Sequence, residues 1–121
     1  MNLLKSILFV AIGGAVGSVA RFLICQLFNE SFPFGTLAVN VLGSFIIGML
    51  VGYVAKEQLS PEMKLLLMTG FCGGFTTFST FALESFSMIN AGDIILAAIY
   101  ISISVCIGII AVCLGLQITQ R

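Results

Sequence analysis

Polar and charged residues punctuate this chain rather than alternate along it. Lys5 and Arg21 enclose 15 uncharged residues, and the apolar pattern runs on past Arg21 to about Phe28. Residues 31–55, 65–83 and 94–120 carry no charge. A helix needs roughly 20 mostly apolar residues to cross a bilayer's hydrocarbon core. The pattern therefore predicts four transmembrane helices, at about 4–28, 35–55, 62–90 and 93–118, within a single domain, 1–121. The connections NESFPFG, KEQLSPE and NAGD are short, and their chemistry agrees with these limits. Ser60-Pro61-Glu62 offers a capping hydroxyl, a proline at the first helical position and an acid in the first turn. Asn90-Ala91-Gly92 followed by Asp93 stops one helix and can cap the next.

Composition supplies the solvent. Of 121 residues, 60% are hydrophobic and 8% charged, and the mean hydropathy is +1.20, where soluble domains carry roughly 25% charged residues. So short a chain cannot bury that much apolar surface in a core of its own. The class that follows is an all-α membrane protein in a lipid bilayer. Lys5, the first apolar run and Ser18-Val19-Ala20 imitate a cleaved signal sequence. Cleavage would discard a glycine-rich helix suited to packing, so the helix is expected to stay. Cys25, Cys72, Cys106 and Cys113 form no CxxC pair, and no histidine is present to complete a metal site. They are expected to pack as small hydrophobes. With no nucleophile–base pair and no phosphate loop, the chain offers no enzyme chemistry. The lack of a basic patch argues against nucleic acid.

Lipid provides no hydrophobic drive between helices, so close approach depends on small residues. Gly13 and Gly17, Gly48 and Gly52, and Gly70 and Gly74 lie four apart, and Gly108, Ala111 and Gly115 share a side of the last helix. So many small faces exceed what one monomer needs, which points to an oligomer, a dimer in the simplest case. Asn40 and Ser44 continue along one row to Gly48 and Gly52; Tyr100 and Ser104 are spaced likewise; Thr76, Thr77, Ser79 and Thr80 crowd the third helix. Singly, each has an interhelical hydrogen bond as its default. Together they can line a track of N–H and O–H donors without fixed charge, which suits a small anion that must bind and leave. Arg21, about 10 Å from its helix end, can snorkel to the interface or serve an entry vestibule. Glu84 can sit at a pore mouth, pair with Arg21 or titrate as a proton site.

The segment GFCGGFTTFSTF, residues 70–81, is the least helical stretch in any span. Each glycine costs about 1 kcal/mol against alanine in a helix. Gly73-Gly74 before Thr76-Thr77 predicts a break, leaving the half-helices 62–72 and 81–90, each about 16 Å long. A mid-membrane break frees carbonyls that lipid cannot satisfy, and with threonine hydroxyls these can form a sodium site. Phe71, Phe75, Phe78 and Phe81 recur through the segment. Phe71 and Phe75 are read as packing residues, while ring edges, which carry partial positive charge, can face an anion.

GGFTTFSTF with the following Glu84, the earlier GGAVGSVAR, and PFGTLAVNVLGSFIIG resemble the Fluc (CrcB-type) fluoride channels in three motif blocks and in the four-helix layout. The resemblance implies an inverted homodimer, its two subunits antiparallel in the inner (plasma) membrane, with two pores along the dimer interface that passively export fluoride. It implies a central sodium ion on the two-fold axis, held by the backbone carbonyls of Gly73 and Thr76. Phe78 and Phe81 would be the pore phenylalanines and Asn40 a donor to fluoride. Thr77, Ser79, Thr80, Tyr100 and Ser104 would continue the polar track, with Arg21 and Glu84 as charges near the aqueous ends. Lys5, Lys56, Lys64 and Arg121 lie on the side of the termini, a bias toward one orientation that an inverted homodimer must overcome. The main alternative is a small four-helix multidrug or cation antiporter, which would be expected to carry a carboxylate in the first helix. None is present there. A purely structural membrane subunit would leave the Asn40, Ser/Thr and Phe pattern without purpose.

Overall fold

The computed structural model describes residues 2–120, and Arg121, one of the four basic residues counted on the side of the termini, lies outside them. Four helices are long and apolar enough to cross a membrane: α1 (Leu3–Phe28), α2 (Phe34–Ala55), a third span Pro61–Asn90 in two pieces, and α5 (Ile94–Gln120). The third span consists of α3, residues 61–75, and α4 (Phe78–Asn90). Within α3 a turn of α-helix at Pro61–Lys64 widens to π-helix over Leu65–Cys72 and closes again at Gly73–Phe75. Such π geometry is rare and concentrates at functional sites.

The ends obey the expected chemistry. The Ser60 hydroxyl accepts the Met63 N–H at 3.2 Å, with Pro61 at the first position. At the start of α1, Asn2 accepts from Lys5 N–H at 2.8 Å. Two helices end in the same way, each closed by a pair of i→i−5 and i→i−3 backbone bonds. After α4 they run Asp93 to Met88 and Gly92 to Ile89; after α2 they run Gln58 to Tyr53 and Glu57 to Val54. This closure needs one left-handed residue. Gly92, at φ 91°, takes it without strain, whereas Glu57 adopts φ 56° with a full side chain. The Asp93 carbonyl receives the first bond of α5, from Ala97.

Two tight pairs make up the bundle. α1 packs on α3: added methyls at Gly13, Gly17, Gly70 and Gly74 would strike the backbone of the facing helix. α2 packs on α5, with Gly48 on Val112, Gly52 on Thr119 and Gly115 on Phe45 and Met49. The expectation that these rows exceed one monomer's needs is therefore corrected, because nearly all of them are consumed within the chain. Gly73 is the exception among the helical glycines, with open space where a side chain would stand.

The break itself also differs from expectation. The helix runs through both Gly73 and Gly74 and stops at Thr76 (ψ 158°) and Thr77 (φ −147°), restarting at Phe78 rather than Phe81. Gly74 is glycine because it meets Gly14 of α1, and that packing outweighs its poor helix propensity. α1 continues unbroken through Ser18-Val19-Ala20, with Gly17 pressed against Phe71 and Phe75.

Candidate functional site

An interrupted span leaves peptide groups without their helical partners, and side chains from other helices take over several of them. In a continuous helix the Thr77 N–H would bond the Gly73 carbonyl. It donates instead to Asn40 Oδ1 at 2.8 Å, while Asn40 Nδ2 donates to the Thr77 carbonyl at 3.2 Å. One side chain of α2 thus holds both polar groups of one residue. The Gly74 carbonyl accepts from Arg21 Nε at 3.0 Å. Arg21 accordingly reaches inward to the break, not outward to the interface as snorkelling would require. The Thr76 N–H and hydroxyl both donate to the Cys72 carbonyl, at 3.1 and 2.8 Å. Thr77 Oγ1 caps α4 by accepting from Thr80 N–H at 3.3 Å.

Beside the break lies a groove of about 410 Å³ between α2 and the third span. Asn40, Thr77, Phe78 and Phe81 line it together with Gly73, Thr76 and Ser44. Phe78 is 78% exposed and meets Phe81 at 5.9 Å between ring centres. Ser44 spends its hydroxyl on the Asn40 carbonyl at 2.6 Å, so it contributes no free O–H there. Phe71 and Phe75 stack on each other at 5.2 Å, with Phe75 buried, in agreement with a packing role.

Ser79, Thr80, Tyr100 and Ser104 do not line that groove. Ser79 is exposed, and Thr80 shares its hydroxyl with Thr77 at 3.1 Å. Ser104 Oγ is buried without a hydrogen-bond partner. Tyr100 is fully buried and donates to Glu84 Oε1 at 2.9 Å. Glu84 does not turn to Arg21. Its other oxygen accepts from Thr36 Oγ1 at 2.9 Å and from Asn29 Nδ2 at 3.5 Å. Asn29 also accepts the Thr36 N–H at 3.0 Å, capping α2 across the turn where Pro33 has no side chain to do so. The Phe81 ring meets Tyr100 at 5.2 Å, and Tyr100 meets Phe32 at 5.4 Å, so aromatic contacts link the groove to this carboxylate.

Sequence reasoning missed Asn29, Thr36 and Phe32. Thr36 had a signal: it lies four residues before Asn40, on the row that continues to Ser44, Gly48 and Gly52. Asn29 and Phe32 sit in a connection, where periodicity is silent.

Fold and site define a small multi-pass α-helical membrane protein with an interrupted span, a device that ion-handling membrane proteins use to turn backbone groups toward a cavity. More narrowly, the chain belongs to the CrcB family. The family described as "CrcB-like protein, Camphor Resistance (CrcB)" matches residues 8–116. A protein of Agrobacterium fabrum named "Fluoride-specific ion channel FluC" is 48% identical over 121 residues, covering 96% of this chain and 97% of that protein. Proteins of the same name from Rhizobium etli and Flavobacterium psychrophilum are 47% and 39% identical, covering 93% and 98% of this chain and 94% and 99% of theirs. These names give the antiporter alternative no support.

Proposed function

We propose that this chain forms a passive, fluoride-selective channel that exports cytoplasmic fluoride through the inner membrane. The observation that carries this reading is end-to-end similarity to proteins named as fluoride-specific channels. The groove beside the break supports it. Fluoride is small and strongly hydrated, so a pore must replace its water with close donors that hold it without trapping it. After serving Thr77, the Asn40 amide keeps one N–H to offer, and the edges of Phe78 and Phe81 supply weaker steps beside it. No lysine lines the groove.

In this reading the working unit is an inverted homodimer, in which a second copy covers each open groove and completes a pore, giving two pores. Of Thr77, Ser79, Thr80, Tyr100 and Ser104, only Thr77 lines the groove; Ser79, Thr80 and Ser104 can serve the path only beyond it, Tyr100 gives its O–H to Glu84, and Glu84 stands toward the aqueous end. Fluoride enters a cell as the neutral acid and is trapped as the anion. An inside-negative potential then drives it out, at about 2.3 kcal/mol per charge per 100 mV.

The residues also fit a structural sodium ion. The Gly73 carbonyl loses its helical donor to Asn40, and Thr76 loses its own because the Thr80 N–H is taken by Thr77 Oγ1. Both residues line the open groove. Uncharged oxygen donors of this kind suit a hard cation. The sodium would fix the two breaks against each other and supply positive charge near the anion path.

Purified protein in fluoride-loaded liposomes, held at a potential by valinomycin, tests the function. Rapid fluoride efflux with chloride excluded is expected. Proton- or drug-coupled exchange, or silence, would overturn the reading.

A further inference from the structure

At the membrane end opposite the Glu84 cluster, a second groove of about 490 Å³ runs between the starts of α1 and α3, lined by Lys5, Leu8, Phe9, Ile12 and Glu62. Its size is that of a small-molecule site. Lys5, Leu8, Phe9 and Ile12 follow the i, i+3, i+4, i+7 spacing of one helix face. The groove thus begins with a cation at the helix ends and descends about 10 Å along three apolar side chains. Glu62, the second residue of the first turn of α3, puts an anion at the groove as well. Leu8 and Ile12 are 52% and 58% exposed, so this chain leaves the apolar part open.

We propose that this groove binds a zwitterionic aminophospholipid, with the phosphate on Lys5, the ammonium on Glu62 and an acyl chain along Leu8, Phe9 and Ile12. Charge complementarity selects the headgroup. An anionic lipid gains from Lys5 but is repelled by Glu62. A phosphocholine matches both signs, yet its quaternary nitrogen has no N–H to give the carboxylate. A primary ammonium has three, and charge-assisted bonds of this kind are the strong ones. The long Lys5 stem can lie along the apolar face while its head meets the phosphate.

The test is lipid retention. Protein is reconstituted in vesicles of equal parts phosphatidylethanolamine, phosphatidylcholine and phosphatidylglycerol, extracted, and its bound lipid identified by native mass spectrometry. Phosphatidylethanolamine should be retained over each competitor by about threefold or more, specificity being a difference of affinities. Glu62→Gln should bring the ethanolamine-to-choline ratio to about one, the N–H acceptor having lost its charge. Glu57→Gln, a charge change at the same membrane end but outside the groove, should leave the ratio intact. Leu8→Trp, filling the apolar part, should lose the bound lipid altogether. Equal retention of the three lipids, an excess of phosphatidylglycerol, or a preference that survives Glu62→Gln would each overturn the proposal. None of these outcomes bears on fluoride efflux, which is measured separately.

Discussion

Removing the Asn40 side chain would release both polar groups of Thr77 at once, in a region with little water to receive them. Leaving a buried donor or acceptor unpaired costs about 1–3 kcal/mol. Asn40→Ala should therefore lower unfolding stability by about that amount and reduce fluoride efflux by about tenfold or more, the equivalent of about 1.4 kcal/mol. Denaturant unfolding and the liposome assay check the two halves of this expectation. The phenylalanines should separate more cleanly. Phe78 is exposed to the groove and touches only the Phe81 ring among the aromatics, so Phe78→Ile should cut flux, leave assembly intact and cost less stability than Phe81→Ile. Phe81 also packs its ring against Tyr100, so Phe81→Ile should cut flux and cost about 0.5–1.5 kcal/mol for the lost aromatic pair. Unchanged flux in both variants would remove the phenylalanines from the path.

Among the elements, the α1–α3 contact, like the α2–α5 one, has no room for an added methyl at its closest glycines. A methyl at position 17 would stand 2.8 Å from the Phe75 nitrogen, so Gly17→Ala must push the helices apart, at about 1–3 kcal/mol by the usual cost of overpacking. Thermal unfolding in detergent measures it. Much of this was legible in the sequence: uncharged runs give the spans, Ser60 and Gly92 give two boundaries, and the four-residue glycine spacing gives the packing faces. The exact break was not. Glycine propensity points at Gly73-Gly74, yet a helix end is decided by which side chains can take over its open peptide groups. Those takers, Asn40 and Arg21, lie 37 and 53 residues from the groups they serve. The Glu84 cluster hid for the same reason, since Asn29, Thr36 and Tyr100 converge only once the helices are paired. Nor does composition announce a left-handed Glu57 or the π-helical turn before the break.

For the whole molecule, the internal use of the glycine rows changes where a partner subunit is to be sought. An open feature close to the break is the groove with Gly73 at its wall. Within one chain Gly73→Ala meets nothing within 4 Å, and alanine favours a helix by about 1 kcal/mol. The variant should thus keep its helix content, yet lose the dimer if a second copy and its sodium ion press on that position. Subunit counting in dilute bilayers, beside circular dichroism, reads both outcomes. A dimer surviving with full flux would take Gly73 off the axis.

Arg21 and Asn40 also stand earlier in the chain than the groups they receive. Synthesis proceeds from the N-terminus, so α1 and α2 enter the bilayer before the interrupted span emerges. A helix with a gap at mid-depth is the hardest of the four to deliver into lipid. Here it arrives to find the guanidinium for Gly74 and the amide for Thr77 already in place. The chain makes its own receptors first, and the order of its spans solves an insertion problem that the same four helices in reverse order would face unaided.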